Sequence, residues 1–584
     1  MIGSRHRTSG GVWACSQTRL RSLVGAAAWC ALVLMSACGC GVPAAQGKAD
    51  SFGVDFSLPP QSVQKGAIVF FVDGVDTETF QQMLAAGQLP AIQKYFVDRG
   101  LYAPHAIANI PSVTLANETS VVTGLFPGHH NITGVNWFDR NQLIWRDYDT
   151  IAQKNELDSD YRAANLYEQF PDALTFSLFF QPHRGTTKFY ENWTSAGPPF
   201  FFGWYEFVDR ISLHRLGAAM DIAREYHQFP AVTFVYLLAP DMRAYQCGVS
   251  SPQYREALLH SDRQIGRVLG DLDRAGELDK VVIALVSDHG MSDVTRHFEF
   301  KEFLREQIGL AVNDKEWAED IPFERRLADH RKITVVSYGS GDRYFALCMR
   351  KPLLKASQPA GWEPWPVRPS AEDLRKYPAR DGGVDLPDRL VRQEAIDSVA
   401  YQTDTDCIRV IRKNGLVEFR QDGGRGKPIT FRAISGTDVL GWSGKVPAEL
   451  LAGQPATPRQ WLEATAGTAY PDLPAQILAY FRSPRAGDLV AFAAPGWDFN
   501  RTHRAGHGGT FPQDMYVPML LAGPGVPHTQ QTIARTVDLM PTLLELLGRP
   551  VPPGLDGQSL IPTTIPGGDE NNKSRKSDVV TTEQ

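Results

Sequence analysis

Short, almost purely apolar runs recur along this chain, and each stops at a turn that carries acid, histidine or glycine. Ala67–Val72 runs into Asp73 and Gly74, Val232–Leu238 meets Pro240 and Asp241, and Val281–Val286 leads into Ser287, Asp288, His289 and Gly290. Leu489–Ala494 and Val517–Leu521 behave the same way. Runs this short and this apolar suit strands buried on both faces. Helical patterns lie between them. Within Tyr254–Leu272, the residues Ala257, Leu258, Ile265, Val268, Leu269 and Leu272 share one stripe, and Val537–Leu547 reads as a second helix stopped by Gly548. Alternation of this kind predicts an α/β fold, with a mostly parallel central sheet flanked by helices. Ligands bind such sheets beyond the carboxyl ends of the strands, where these Asp and His side chains would gather.

Residues 301–485 break the rhythm: they are rich in Pro, Gly and Trp, with strand-like pieces at Cys407–Ile411 and Val417–Arg420. The expectation is an inserted α+β cap lobe, with the core formed by 67–300 and 486–565. Residues 1–37 carry four Arg and no acid, with an apolar run from Leu23 to Met35 that is too short to span a bilayer. They read as a secretory signal. Met35-Ser36-Ala37-Cys38 resembles a bacterial lipobox, so Cys38 is expected to be lipidated and the protein exported, on the cell envelope or in the periplasm. Residues 38–66 read as a tether, and 566–584 as a disordered polar tail. A formal net charge of −6 supports neither nucleic-acid binding by bulk charge nor a polybasic membrane contact. The cysteines show no Cys-x-x-Cys spacing, which argues against a Cys-rich zinc site; a disulfide among Cys247, Cys348 and Cys407 is allowed in an exported protein.

A single strand-end Asp more often caps a turn than binds metal. The combination is stronger: Asp73, Asp241 and Asp288 with His289 and His507 would concentrate negative charge that divalent cations resolve best. Thr114 stands before a helical pattern at Leu115–Val122, whose N-terminal N–H groups favour developing negative charge.

The order and wording of five segments resemble the alkaline phosphatase superfamily, in its type I phosphodiesterase/nucleotide pyrophosphatase branch. They are VFFVDGV with Asp73; PSVTLANETSVVTGLFPGHHNITG with Thr114; the SDHGM block; GHGGTFPQDMYVPMLLAGPGV with His507; and VDLMPTLLELLG followed by GLDGQSL. The resemblance implies one metal held by Asp73, Thr114, Asp288 and His289, and a second that uses Asp241 and His507, with zinc the expected ion. It implies that Thr114 is the nucleophile, with Ser112 as rival, that Asn136 supports a phosphoryl oxygen, and that the partner is a small-molecule phosphoester. The oxidisable Cys/Ser-x-Pro/Ala-x-Arg motif of sulfatases is missing.

One position departs from the pattern. Asp-x-x-x-His is expected at the second metal, and here Tyr245 follows Asp241 where the imidazole belongs. Three outcomes stay open: Tyr245 ligates, His503 or His260 substitutes, or the second site is weak. A surface binding lipoprotein that has lost turnover is therefore the alternative to a phosphoric ester hydrolase. The aromatic cluster Phe189, Tyr190, Trp193, Phe200, Phe201, Phe202, Trp204 and Tyr205 could stack a base, but is expected to be buried packing.

Overall fold

The computed structural model describes residues 65–562, apart from 151–152, 192, 226–228, 314–318, 354–360, 381 and 531–532. The signal, Cys38 and the polar tail lie outside the described residues. The strands of the two large sheets are, in chain order, β1 (Gly66–Val72), β2 (Gly100–Ile107), β3 (Thr175–Leu178), β4 (Lys188–Tyr190), β5 (Val232–Leu237), β6 (Val281–Val286), β7 (Val335–Ser340), β8 (Tyr344–Met349), β9 (Ile396–Asp404), β10 (Cys407–Arg412), β11 (Gly415–Arg420), β12 (Thr430–Gly436), β13 (Leu489–Ala493), β14 (Tyr516–Ala522) and β15 (Thr529–Gln530). The helices that matter most for the site are α1 (Thr114–Thr123), α2 (Tyr205–Glu225), α3 (Ala239–Cys247), α4 (Pro252–Arg274) and α5 (Leu539–Leu546).

The first sheet has eight strands in the order β15-β2-β14-β6-β1-β5-β3-β4. Its pairs are parallel except where β14 runs against β6 and β2. β1 and β6 are buried along their whole length, as expected of strands covered on both faces. α4 begins where the Ser251 side chain accepts the Tyr254 N–H, and it buries Ala257, Leu258, Ile265, Leu269 and Leu272 as the periodicity predicts. α5 follows a 3-10 turn at Thr536–Asp538. No helix among the described residues is long and apolar enough to cross a membrane.

The second sheet has seven strands, β7-β8-β13-β9-β10-β11-β12, and its pairs are antiparallel. It contains β13, so the run at 489–494 is a lobe strand and not a core strand. An all-apolar run reports burial on both faces but not which sheet supplies the neighbours. One hydrophobic cluster joins Ile107, Ile110 and Leu115, which flank Thr114, to Tyr344, Val410, Phe419, Trp442 and Trp461 of the lobe. The lobe shares the core of the molecule. No disulfide joins Cys247, Cys348 and Cys407.

Candidate active site

β1, β5 and β6 are parallel neighbours, so their carboxyl ends lie side by side. Asp73 follows β1 directly, Asp241 sits in the first turn of α3 after β5, and Asp288-His289 follow β6. Gly74 makes the crowding possible: at φ +66 it approaches Asp241 so closely that a Cβ would lie 2.8 Å from the Asp241 Cα. Its N–H donates to Asp288 Oδ1 at 3.2 Å. Thr114 opens α1 on the same edge.

Both histidines have their tautomers set by backbone carbonyls. His289 Nδ1 lies 2.9 Å from the Gly290 carbonyl, and His507 Nδ1 lies 2.8 Å from the Ser112 carbonyl. Each Nδ1 therefore carries a proton, and on His507, whose ring burial keeps neutral, the Nε2 presents a lone pair. The His289 Nε2 faces Asp288 Oδ2 at 3.1 Å, Thr114 Oγ1 at 3.2 Å and Asp73 Oδ1 at 3.4 Å. The His507 Nε2 faces Asp241 Oδ1 at 3.9 Å. The two imidazoles stack with centroids 3.4 Å apart.

Apart from the Thr114 hydroxyl, the groups turned toward one another here are carboxylate oxygens and ring nitrogens. Asp73 Oδ1, Asp241 Oδ1 and Asp288 Oδ2 are buried with no hydrogen-bond partner. Two donor groups result, Asp73–Asp288–His289 and Asp241–His289–His507. Orphaned carboxylate oxygens around imidazole nitrogens are what a divalent cation satisfies, so the residues fit the expected metal.

The electrostatics agree. Burial, then Asp288 and Asp241, hold the Asp73 carboxyl well above the usual range. Burial likewise pushes Asp241 up to about 7. Burial opposes the charge on Asp288 and on His289 alike, but the pair outweighs it: Asp288 raises the pKa of His289, and the protonated ring holds this carboxyl low, a proton whose place on Nε2 a bound ion would take. Burial, reinforced by His289, keeps His507 well below the usual histidine value and so neutral. Tyr236 donates to Asp73 Oδ2.

Ser112, the rival nucleophile, is buried and donates to the Gly509 carbonyl at 2.9 Å. Unlike Thr114, it is not part of the cavity lining. Asn136 lines the same cavity of about 810 Å³ as Thr114, Asp73, Asp241 and His507. Tyr245 donates to His507 Nε2 at 2.6 Å and so occupies the lone pair a second ion would need. His503 packs tilted against Tyr245, with centroids 4.5 Å apart and planes 50° from parallel, and has Nδ1 on Asp342; it does not join either donor group. His260 interacts with Glu206 and joins neither. Asp342, Tyr236 and Glu118 also line the cavity and were not expected. Only Glu118 had a legible signal, its place four residues after Thr114 on one helical face.

The aromatic cluster divides. Tyr205 is buried, whereas Phe201, Phe202 and Trp204 are 76%, 40% and 46% exposed, which corrects the expectation of buried packing. Phe200, Phe201 and Tyr205 line the cavity, while the Trp193 side chain lies outside the described residues.

Residues 67–338 match the family model of type I phosphodiesterase / nucleotide pyrophosphatase. The fold is alkaline phosphatase-like. Murine ectonucleotide pyrophosphatase/phosphodiesterase 5 superposes with a TM-score of 0.51 at 13% identity, over 84% of this chain and 96% of that one. An inactive threonine-to-alanine variant of that murine protein, in complex with AMP, gives a TM-score of 0.50 at 13% identity, again over 84% and 96%. In sequence, ectonucleotide pyrophosphatase/phosphodiesterase family member 1 of Mus musculus is 26% identical over 41% of this chain, and family member 3 of Bos taurus is 22% identical over 40%. The matches span about a quarter of the length of those relatives, 24% and 25%.

Proposed function

We propose that this protein is a metal-dependent hydrolase of phosphoric esters, acting on phosphodiester or pyrophosphate bonds, with Thr114 as nucleophile. The observation that carries the reading is the Thr114 hydroxyl, 3.2 Å from the His289 Nε2 and beside the orphaned oxygens of Asp73 and Asp288. Asp73, Thr114, Asp288 and His289 would hold one ion and Asp241 with His507 a second, zinc being the expected metal; when bound, the ions favour the threonine alkoxide and offset charge on the phosphoryl oxygens. Thr114 Oγ1 attacks phosphorus, a P–O bond forms, and the leaving group departs with its oxygen. The free N–H groups of the first turn of α1 donate to the phosphoryl oxygens, and Asn136 supports one of them. Water then displaces the phosphorylated Thr114 and restores its hydroxyl. The murine relative that holds AMP supports a small nucleotide-like phosphoester as substrate.

The test is hydrolysis of bis(p-nitrophenyl) phosphate and p-nitrophenyl phosphate with added zinc, manganese or iron, with Thr114→Ala as control. Turnover that is lost in Thr114→Ala, with a trapped ester on Thr114 by mass spectrometry, is the expected result. A second reading rests on Tyr245 occupying the His507 lone pair: a surface binding protein that keeps the fold without turnover. No turnover of either ester by metal-loaded protein, with Thr114→Ala indistinguishable from wild type, favours that reading. We also propose export with a lipid on Cys38; Cys38→Ala would move the protein from the membrane fraction to the soluble one.

A further inference from the structure

The proposed reaction leaves one buried acid of the cavity unused. Glu118 lies four residues after Thr114 in α1, on the same helical face and one turn deeper, and both side chains line the cavity. It is 1% exposed, and among the described residues it alone leaves both carboxylate oxygens buried without a hydrogen-bond partner. The backbone N–H of Gln181 acts on it electrostatically without reaching hydrogen-bond geometry. A carboxyl group placed this way is unfavourable until a donor or a cation reaches it. The other ionisable side chains of that lining are mostly acidic. They include Asp149 and Glu191, and the one Lys or Arg among them, Lys154, is already paired with Glu191. Phe179 and Tyr236 add ring faces to the same cavity.

Four residues of helix separate Thr114 from Glu118 by about 6 Å along the axis. A short alkyl arm between phosphorus and nitrogen is of that order of length. We propose that Glu118 forms the floor of a subsite for a primary ammonium group, carried on a short alkyl arm of the phosphoester substrate. Two unpartnered oxygens call for N–H donors, which a primary ammonium has and a quaternary one lacks. The surplus of acid over Lys154 favours a charged donor over a hydroxyl. Burial, then Asp288, holds the Glu118 carboxyl well above its usual range, and an adjacent ammonium would restore its charge. The inference rests on the phosphoester reading and assigns one of the two arms of a diester.

Three chromogenic esters separate charge, hydrogen bonding and shape: the 2-aminoethyl, 2-hydroxyethyl and propyl esters of p-nitrophenyl phosphate. Expected is a kcat/KM for the aminoethyl ester about tenfold or more above the other two, the scale of a charge-assisted hydrogen bond. Glu118→Gln should abolish most of that ratio while the number of ions per chain stays the same. Equal rates for the three esters, a hydroxyethyl ester as good as the aminoethyl one, or an unchanged ratio in Glu118→Gln would overturn the subsite. A Glu118→Gln protein that loses an ion would also overturn it, by assigning Glu118 to the metal. Should that variant fail to fold, ethanolamine must inhibit wild-type hydrolysis of the propyl ester competitively where propanol does not; equal effects overturn the proposal. Turnover of the propyl ester without preference removes only the subsite, whereas turnover of none of the three removes the hydrolase reading with it.

Discussion

Tyr245 and His130 show how a single proton position shapes this molecule. The Nδ1 of His507 is committed to the Ser112 carbonyl, so its Nε2 accepts from the Tyr245 hydroxyl. An ion at Asp241 and His507 has to displace that bond or recruit the phenol. Burial and the nearby Asp241 and Asp342 push the Tyr245 hydroxyl well above the usual tyrosine value, which favours the neutral, donating form. Tyr245→His is therefore expected to raise the zinc bound per chain and to keep or raise zinc-dependent turnover, measured by elemental analysis and p-nitrophenol release. A large loss of activity would show that the phenol has its own role. His130 is the mirror case, buried and away from the donor groups. The Ile132 N–H donates to its Nδ1 at 3.1 Å, so its Nε2 carries the proton toward Ser120 Oγ at 2.9 Å. Burial, then His129, lowers its pKa to about 3. Because an unfolded histidine takes a proton near 6.5, the unfolded chain binds more protons between pH 6.5 and 3, and stability falls as pH drops through that window. The contribution lost by pH 5 is about 2 kcal/mol at ~1.4 kcal/mol per unit. His130→Gln should flatten the fall in unfolding free energy between pH 7 and 5 by that order; an unchanged slope would refute it.

At the scale of elements, α1 works because the loop before it is tied to its own second turn. Asn117 is fully buried, accepts from the Asn109 N–H at 2.7 Å, and donates to the carbonyls of Pro111 at 3.0 Å and Val113 at 3.1 Å. One amide thereby fixes the loop that aims Thr114. Asn117→Ala strands several of these groups and should cost about 3 kcal/mol in denaturant unfolding, since each unmet buried group costs roughly 1–3. It should also lower kcat about tenfold or more through misplacement of Thr114, with the stability loss too small to unfold the protein at assay temperature. Wild-type stability and turnover in this variant would show that α1 is aimed by its packing alone. The elements themselves were largely legible in the sequence: β1, β5 and β6 through apolar runs, α4 through its stripe, and Asp73, Asp241, Asp288 and His289 through their places at strand ends. What was not legible comes from partners distant in sequence. Asp342 reaches the cavity from the lobe hairpin, Tyr236 lies inside a buried strand, and β13 reads as any core strand does. Phe201, Phe202 and Trp204 defeat the packing expectation because hydrophobicity alone does not say which side chains find neighbours.

Across the whole molecule, the lobe completes the site. The hairpin between β7 and β8 runs beside His507: the His507 N–H donates to the Gly341 carbonyl at 2.6 Å, and the Arg343 N–H donates back to His507 at 2.9 Å. Gly341 is required there, because at φ +65 a Cβ would meet the His507 ring at 2.6 Å. The Arg343 side chain is 1% exposed and pairs with Asp514 Oδ1 at 3.1 Å. Asp514 in turn accepts the Gly290 N–H on its carbonyl at 2.9 Å, next to His289. Both histidines thus depend on one ion pair that bridges the lobe to the sheet. Removing one member of a buried pair leaves the other uncompensated and costs about 3–5 kcal/mol. Arg343→Ala should therefore lower the urea midpoint by that order and reduce the ions bound per chain. Removing both charges with Arg343→Met and Asp514→Leu should recover much of the stability, because no lone charge stays buried, while metal content stays low because no side-chain pair any longer fixes the backbone segments that hold His507 and His289. If Arg343→Ala instead keeps both its urea midpoint and its ions, the lobe is a passive cover, and the two histidines are held by the strand ends alone.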